Sequence, residues 1–253
     1  MEDPNVRPCG PAEGRIGRGL RKGRHRNSDM KKTAMHTKYQ LVSGESVPSV
    51  TTVLGILAKP ALIHWAWELG TRGLDYRKER DQAADIGILA HYLILCDLQG
   101  EKAEIAQFSA EQINKAETAL IKYWDWRKGN PIEPILVETS LISERHGFGG
   151  TIDCLAHLGD KMVLLDYKTG KAIYPEMLYQ LAAYEALLKE AGKPVTEARI
   201  LRIGRDENEA FEERVFIDLS TEWEIFLACL RIYKLRQSHN PAPGHPVGDR
   251  ESR

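Results

Sequence analysis

Residues 150–170 read GTIDCLAHLGDKMVLLDYKTG, and the central Gly159-Asp160 pair decides how the stretch is folded. A two-residue loop with glycine first is a hairpin turn between two short apolar runs. With Leu158 opposite Lys161, stepping outward along both arms brings Leu155 opposite Leu164 and Asp153 opposite Asp166. Residues two apart share a strand face, so Lys168 joins Asp166, Leu164 and Met162 while Val163, Leu165 and Tyr167 point the other way. Directly opposed like charges on neighbouring strands repel, so a positive group is expected between the two aspartates. A hard divalent cation meets that need, because Mg2+ held by one or two carboxylates keeps waters for a phosphate substrate. Lys168, at the rim, is placed to orient an attacking water and to stabilise charge developing on phosphorus. The competing reading makes Asp153 a turn residue and Asp166-Lys168 a surface ion pair; the glycine-rich approach GFGGTID and the apolar setting count against it.

Outward from the hairpin, PILVETSLIS supplies a preceding strand, so the three form a meander. A helix from Pro175 to about Ala191 follows, with proline at its start and Gly192 after its end, and then two further strands, EARILRIG and ERVFIDL. STEWEIFLACLRIYKLRQ closes the fold as a helix. Upstream of Asn130 the pattern is helical: a short helix capped by Ser49 or Thr51, a second after Lys59-Pro60, a long one over 79–99 closed by Gly100, and another capped by Ser109 and closed by Gly129. The expected fold is α/β, a central mixed β-sheet flanked by helices. A helical N-terminal part lies over the site. The expected organisation is a basic, disordered tail over 1–40, one domain over 41–236 (mostly helical to 130, sheet core with helices from 131), and a Pro-rich disordered tail over 237–253.

Composition agrees with a folded, soluble chain: 253 residues, 42% hydrophobic and 28% charged. No apolar run reaches the length of a membrane span, and the basic start has no apolar region of a secretory signal behind it, so a cytoplasmic protein with no membrane partner is expected. The net charge of -1 conceals an asymmetry, since residues 1–40 carry ten Lys/Arg against four Asp/Glu, leaving 25 against 32 in the remainder. The head is either a solvated tail or a loose hold on a phosphate backbone. Cys9, Cys96, Cys154 and Cys229 have no CxxC spacing, which argues for free thiols rather than a zinc ribbon or iron-sulfur clamp.

His91 in GILAH, Asp153 in GGTID, Asp166 and Lys168 in LLDYKTG, then Gln180 and Tyr184 in QLAAY, resemble in their order the PD-(D/E)XK nuclease superfamily. The nearer match is its RecB-like branch, with phage-type exonucleases and the mitochondrial genome maintenance exonuclease, over about residues 45–235. The resemblance implies a restriction-endonuclease-like sheet, with His91, Asp153, Asp166 and the backbone carbonyl of Tyr167 as ligands for one or two Mg2+ or Mn2+ ions. It makes Lys168 the water-orienting lysine. Gln180 and Tyr184 share a helical face and border the site, holding the DNA backbone or the water network. Read without the family, His91 on an apolar helix is more often a core histidine and Tyr184 a core tyrosine. Glu138 either projects toward the metals, as an acidic residue does there in some relatives, or is a solvent-side strand residue.

Ser49, Thr51 and Thr52 present hydroxyls and amides at a helix start, which suits a phosphate, and Trp65 or Trp67 is placed to stack on an unpaired base. Similar Ser-Val-Thr-Thr and Lys-Pro stretches precede the core in phage-type members of the branch. Lys171 follows the catalytic strand and is the first choice for a DNA-binding lysine, ahead of Lys59 and Arg72. The chain departs from cluster-bearing relatives in having only Cys229 toward its C-terminus, so no iron-sulfur cluster is expected, and it has no GxxxxGK[ST] motor sequence.

These residues lead to an expected metal-dependent DNA exonuclease acting in recombination, repair or phage DNA processing, in the cytoplasm on a nucleoid or as a phage product in its host. Its partner is a DNA single strand or duplex end, together with recombination or replication proteins. The alternatives are a single-strand or structure-specific endonuclease of the same chemistry, an inert DNA-end-binding module, and a scaffold tethered to RNA or DNA by the basic head.

Overall fold

The structure, a computed structural model, describes residues 37–239. The expected basic tail up to residue 36, Cys9 and the Pro-rich end from residue 240 lie outside the described residues. The described chain begins with two short strands, β1 (Tyr39–Gln40) and β2 (Ser46–Val47), which pair with each other. The helices α1 (Val50–Leu54), α2 (Pro60–Thr71), α3 (Tyr76–Gln99) and α4 (Ala110–Gly129) follow. Then come β3 (Ile132–Ser143), β4 (Phe148–Leu158), β5 (Lys161–Lys168), α5 (Pro175–Glu190), β6 (Glu197–Arg202), β7 (Glu212–Phe216) and α6 (Ser220–His239). The last helix runs three residues past the expected domain end at 236. Tyr39, expected in the tail, is a buried strand residue.

The helix ends follow their local chemistry. Ser109 and Gln112 close a capping box at the start of α4, Asp75 caps α3 by accepting from the Arg77 amide, and Gly100 ends α3 in the left-handed conformation at φ 68°. Gly159 at the β4–β5 turn has φ 62°, a conformation open to glycine at little cost.

The five-stranded sheet is ordered β3-β4-β5-β6-β7, and only β5 and β6 run parallel, joined through α5. Its two faces carry separate cores. One buries Leu155, Leu164, Ile200 and Phe148 under α1, α5 and α6. The other buries Cys154, Val163, Leu165, Tyr167 and Leu201 under α3 and α4. The alternation along β5 is therefore the one expected from the hairpin. Among the described residues no helix is long and apolar enough to cross a membrane.

Candidate active site

The β4–β5 register runs as expected from Leu158 opposite Lys161 to Cys154 opposite Leu165, and there the ladder ends. Asp153 is not laddered to Asp166; its Oδ2 instead accepts a hydrogen bond from the Tyr167 amide at 2.8 Å. A side-chain carboxylate replaces the next backbone acceptor, so the strands part at the point where two aspartates would otherwise oppose each other. On the far side β5 stays paired to β6, Asp166 beside Ile200 and Lys168 beside Arg202. The site thus sits at the C-terminal end of the parallel pair, where open α/β sheets commonly bind their ligands.

Asp166 is 1% exposed and neither of its carboxylate oxygens has a hydrogen-bond partner. The Lys168 ammonium lies 2.6 Å from Oδ2 in ion-pair contact without hydrogen-bond alignment. Burial drives the Asp166 carboxyl up to about 6; Lys168 opposes the rise, and the negative charge of Asp153 adds to it. For Lys168, burial disfavours the charge, but Asp166 and Asp153 outweigh it and its pKa is raised. The lysine is held as an ammonium.

His91, half-exposed on α3, places Nδ1 4.0 Å from Asp153 Oδ2, and its ring stands edge-on to Tyr167 at 6.3 Å. One turn earlier on α3, a side chain at Gly87 would meet the Thr169 hydroxyl at 2.9 Å. Glycine at 87 therefore lets the helix approach the end of β5, and this close approach brings His91 to the site. Among the described residues no group of three or more His, Cys, Asp or Glu side chains stands ready to hold a metal ion, although His91 lies 4.0 Å from Asp153. The residues suit a hard cation: a buried carboxylate whose one oxygen faces the Lys168 ammonium and whose other has no partner, beside a second carboxylate, is a donor set that Mg2+ completes with water. Asp166 and Asp153 would hold the ion, with His91 beside them.

Gln180 Nε2 donates to the Tyr184 hydroxyl at 2.7 Å, as two residues on one helical face can. Tyr184 is buried, and desolvation, followed by the charges of Asp166 and Asp153, raises its phenol well above the ordinary range. Its ring fits because residue 150 is glycine: a Cβ there would lie 2.7 Å from Tyr184 Cε1. A Cβ at Gly149 would lie 2.3 Å from the Tyr39 ring, whose hydroxyl is 2.8 Å from Thr151 Oγ1. The GG of GFGGTID thus accommodates two tyrosines against β4. Sequence reading missed Tyr39; the two glycines were the available signal.

The remaining sites divide. Glu138 is exposed and lies at the β3 position facing Asp153, between the pairs Val137–Cys154 and Thr139–Ile152, with φ 42°. The helix start expected to offer free amides is capped by itself. Ser49 Oγ accepts from the Thr52 amide at 3.0 Å and lies 3.0 and 2.8 Å from the Thr51 and Thr52 hydroxyls, and α1 is only 5 residues long. Trp65 is half-buried with its ring edge-on to Tyr76 at 5.5 Å, whereas Trp67 is 64% exposed. Lys171 is exposed in the turn after β5, and Lys59 and Arg72 bracket α2.

A mixed sheet flanked by helices, with two carboxylates and a lysine at the parting of its strands, is of the restriction-endonuclease-like fold class. The chain belongs to the PD-(D/E)XK nuclease superfamily, whose family model matches residues 61–244. Among solved structures it is similar to SSO0001, at 15% identity and TM-score 0.33, over 51% of this chain and 62% of that one. The chain thus spans less than two thirds of SSO0001. It is also similar to a proposed exonuclease from Eubacterium rectale, at 10% identity and TM-score 0.41, over 64% of this chain and 77% of that one. A third likeness is to the alkaline exonuclease LHK-Exo from Laribacter hongkongensis, at 18% identity and TM-score 0.32, over 64% and 92%. No curated protein matches the chain.

Proposed function

We propose that the protein is a divalent-metal-dependent DNA exonuclease, removing nucleotides from strand ends during recombination, repair or phage DNA processing in the cytoplasm. The observation that carries this reading is Asp166: a buried carboxylate without hydrogen-bond partners, beside a second carboxylate and a charged lysine. A bound Mg2+ or Mn2+ would lower the pKa of water and offset the charge of the phosphate. Lys168 keeps its proton and so donates to the attacking water or to a phosphoryl oxygen as charge develops there. Asp153 orients the end of β5 through the Tyr167 amide. Gln180 fixes the Tyr184 hydroxyl toward the same carboxylates, where it donates to the DNA backbone or to ordered water. His91 lies 4.0 Å from Asp153 and Glu138 at the facing position of β3, and Ser49, Thr51, Thr52, Trp65 and Lys171 are candidates for the path of the strand.

The test is digestion of end-labelled single- and double-stranded linear DNA beside a circular single strand, in Mg2+, Mn2+ or EDTA, with Lys168→Ala as control. Metal-dependent shortening of linear DNA that spares circles and disappears in the variant is the expected result. Nicking of circles would favour the endonuclease of the same chemistry. DNA binding without cleavage under either metal would reduce the protein to an end-binding module.

A further inference from the structure

The mechanism above leaves two buried arginines unused, Arg199, which is tied to Glu197 and Glu213, and Arg202. Arg202 ends β6, directly beside Lys168 in the parallel register, and the Ile203 amide donates to the Lys168 carbonyl at 2.7 Å, which locks the two strand ends together. Paired residues in a sheet share a face, so Arg202 lies on the Asp166–Lys168 side, about 4.8 Å away across the sheet. Its side chain is buried, with Arg202 8% exposed. Of the five donors of a guanidinium, only Nε has an acceptor among the described residues: it donates to Glu212 Oε2 at 2.9 Å.

That arrangement is oriented rather than merely neutralised. Glu212 shares its other oxygen with Arg214, whose Nε donates to Oε1 at 2.7 Å, so one carboxylate serves two guanidinium groups and positive charge is left over. Holding Arg202 by Nε leaves the fork of terminal N–H groups free as a pair. The terminal nitrogens are not shut away from water, and a planar fork is matched by the paired oxygens of a phosphate. A structural ion pair would use the fork on its carboxylate; here the fork is spare.

We infer that Arg202, set by Glu212, forms an anion subsite beside Lys168 that takes the non-bridging oxygens of the nucleic-acid phosphate adjoining the one under attack. Its assignment to a neighbouring phosphate rests on the nuclease reading of Lys168. The positive subsite itself does not.

The test uses the full chain, binding a short single-stranded oligonucleotide in EDTA over a range of salt, with Arg202→Ala, Arg202→Gln and Arg202→Lys beside the wild type. Arg202→Gln keeps a donor for Glu212 should the alanine variant fail to fold. Losing one phosphate contact lowers the slope of log affinity against log salt by about 0.7 for a single strand. The neutral variants are expected to show that loss, and Arg202→Lys to retain the slope. In cleavage, kcat/KM of the neutral variants falls by about 10- to 100-fold. Replacing the adjoining phosphate by a neutral methylphosphonate slows the wild type by a similar factor and the neutral variants hardly further. A folded neutral variant with an unchanged salt slope overturns the subsite. A wild type that binds but never cleaves overturns the nuclease reading and leaves the salt-slope test to judge the subsite alone.

Discussion

The two ends of the β4–β5 hairpin obey opposite rules. At the turn, Leu158 and Lys161 pair in register, Gly159 takes its positive φ with nothing crowding it, and Asp160 is exposed to water. At the far end the ladder stops, a side chain stands in for a backbone acceptor, and a carboxylate is buried without hydrogen bonds against a second one. The turn end is what a strand pair adopts when only stability is at stake. The far end gives up ladder bonds and solvation to hold charges in fixed places, the usual trade at a site that does chemistry.

Matched substitutions at the two ends break the comparison most sharply. Asp166→Ala is expected to reduce cleavage by about 10³-fold or more, because it removes a charge that must be in place as the phosphate reacts. Asp160→Ala, at the exposed turn, should leave rate and melting temperature within the spread of ordinary surface changes, about 0.5 kcal/mol. Initial rates on linear DNA with thermal melts of both variants decide the matter; equal effects would mean that the far end is no more specialised than the turn.

Glycines separate the ends by packing. Gly150→Val drives a branched side chain into the Tyr184 ring and Val50, already 2.7 and 3.1 Å from a Cβ, and should cost about 3 kcal/mol with a parallel loss of activity. Gly159→Asn, in open space at φ 62°, should cost a few tenths, roughly 0.5 kcal/mol at most. Chemical denaturation measures both. A tolerated valine at 150 would show that Tyr184 is free to move away.

How far the sequence discloses this arrangement follows from range. The turn glycine, the strand alternation and the caps at Ser49, Ser109 and Gly100 are local, acting within a few residues, and each was readable before the fold. The same holds for the pairing of Gln180 with Tyr184 one helical turn apart. The early end of the ladder was not readable, because it depends on the Asp153 side chain outcompeting a backbone acceptor. Nor was Tyr39, whose place is set by contacts with Gly149 and Thr151 more than 100 residues away. Arg202 also escaped notice: its position beside Lys168 comes from a parallel pairing across a helix, which no local spacing reveals. At Ser49 the cap itself was legible, but not that its hydroxyl takes up the Thr52 amide.

Acid should sharpen the contrast through Asp166. Its folded pKa is raised by burial to about 6 from an ordinary 3.8, so the metal-free protein holds this contribution to stability fully below pH 4 and loses it as the pH rises through 6. A shift of that size corresponds to about 2–3 kcal/mol. Mg2+ should therefore raise the melting temperature more at pH 7.5 than at pH 5, since proton and cation compete for the same carboxylate. Melts with and without Mg2+ at the two pH values test this, and a metal effect independent of pH would remove Asp166 from the site.

The smallest effect concerns Glu138. It faces Asp153 across β3 and β4 with φ 42°, a left-handed conformation that costs a non-glycine residue about 1–2 kcal/mol and that the surrounding strands must enforce. Glu138→Gly removes that cost while adding freedom to the unfolded chain, so a net gain of about 1 kcal/mol, or about 2–4 °C in melting temperature, is expected. If the acidic side chain serves the reaction, cleavage falls as stability rises. If Glu138 is a solvent-side residue, stability rises with the rate unchanged. A variant that melts lower than the wild type would mean instead that the side chain holds the strand in this shape, and the bend beside Asp153 would then belong to packing rather than to catalysis.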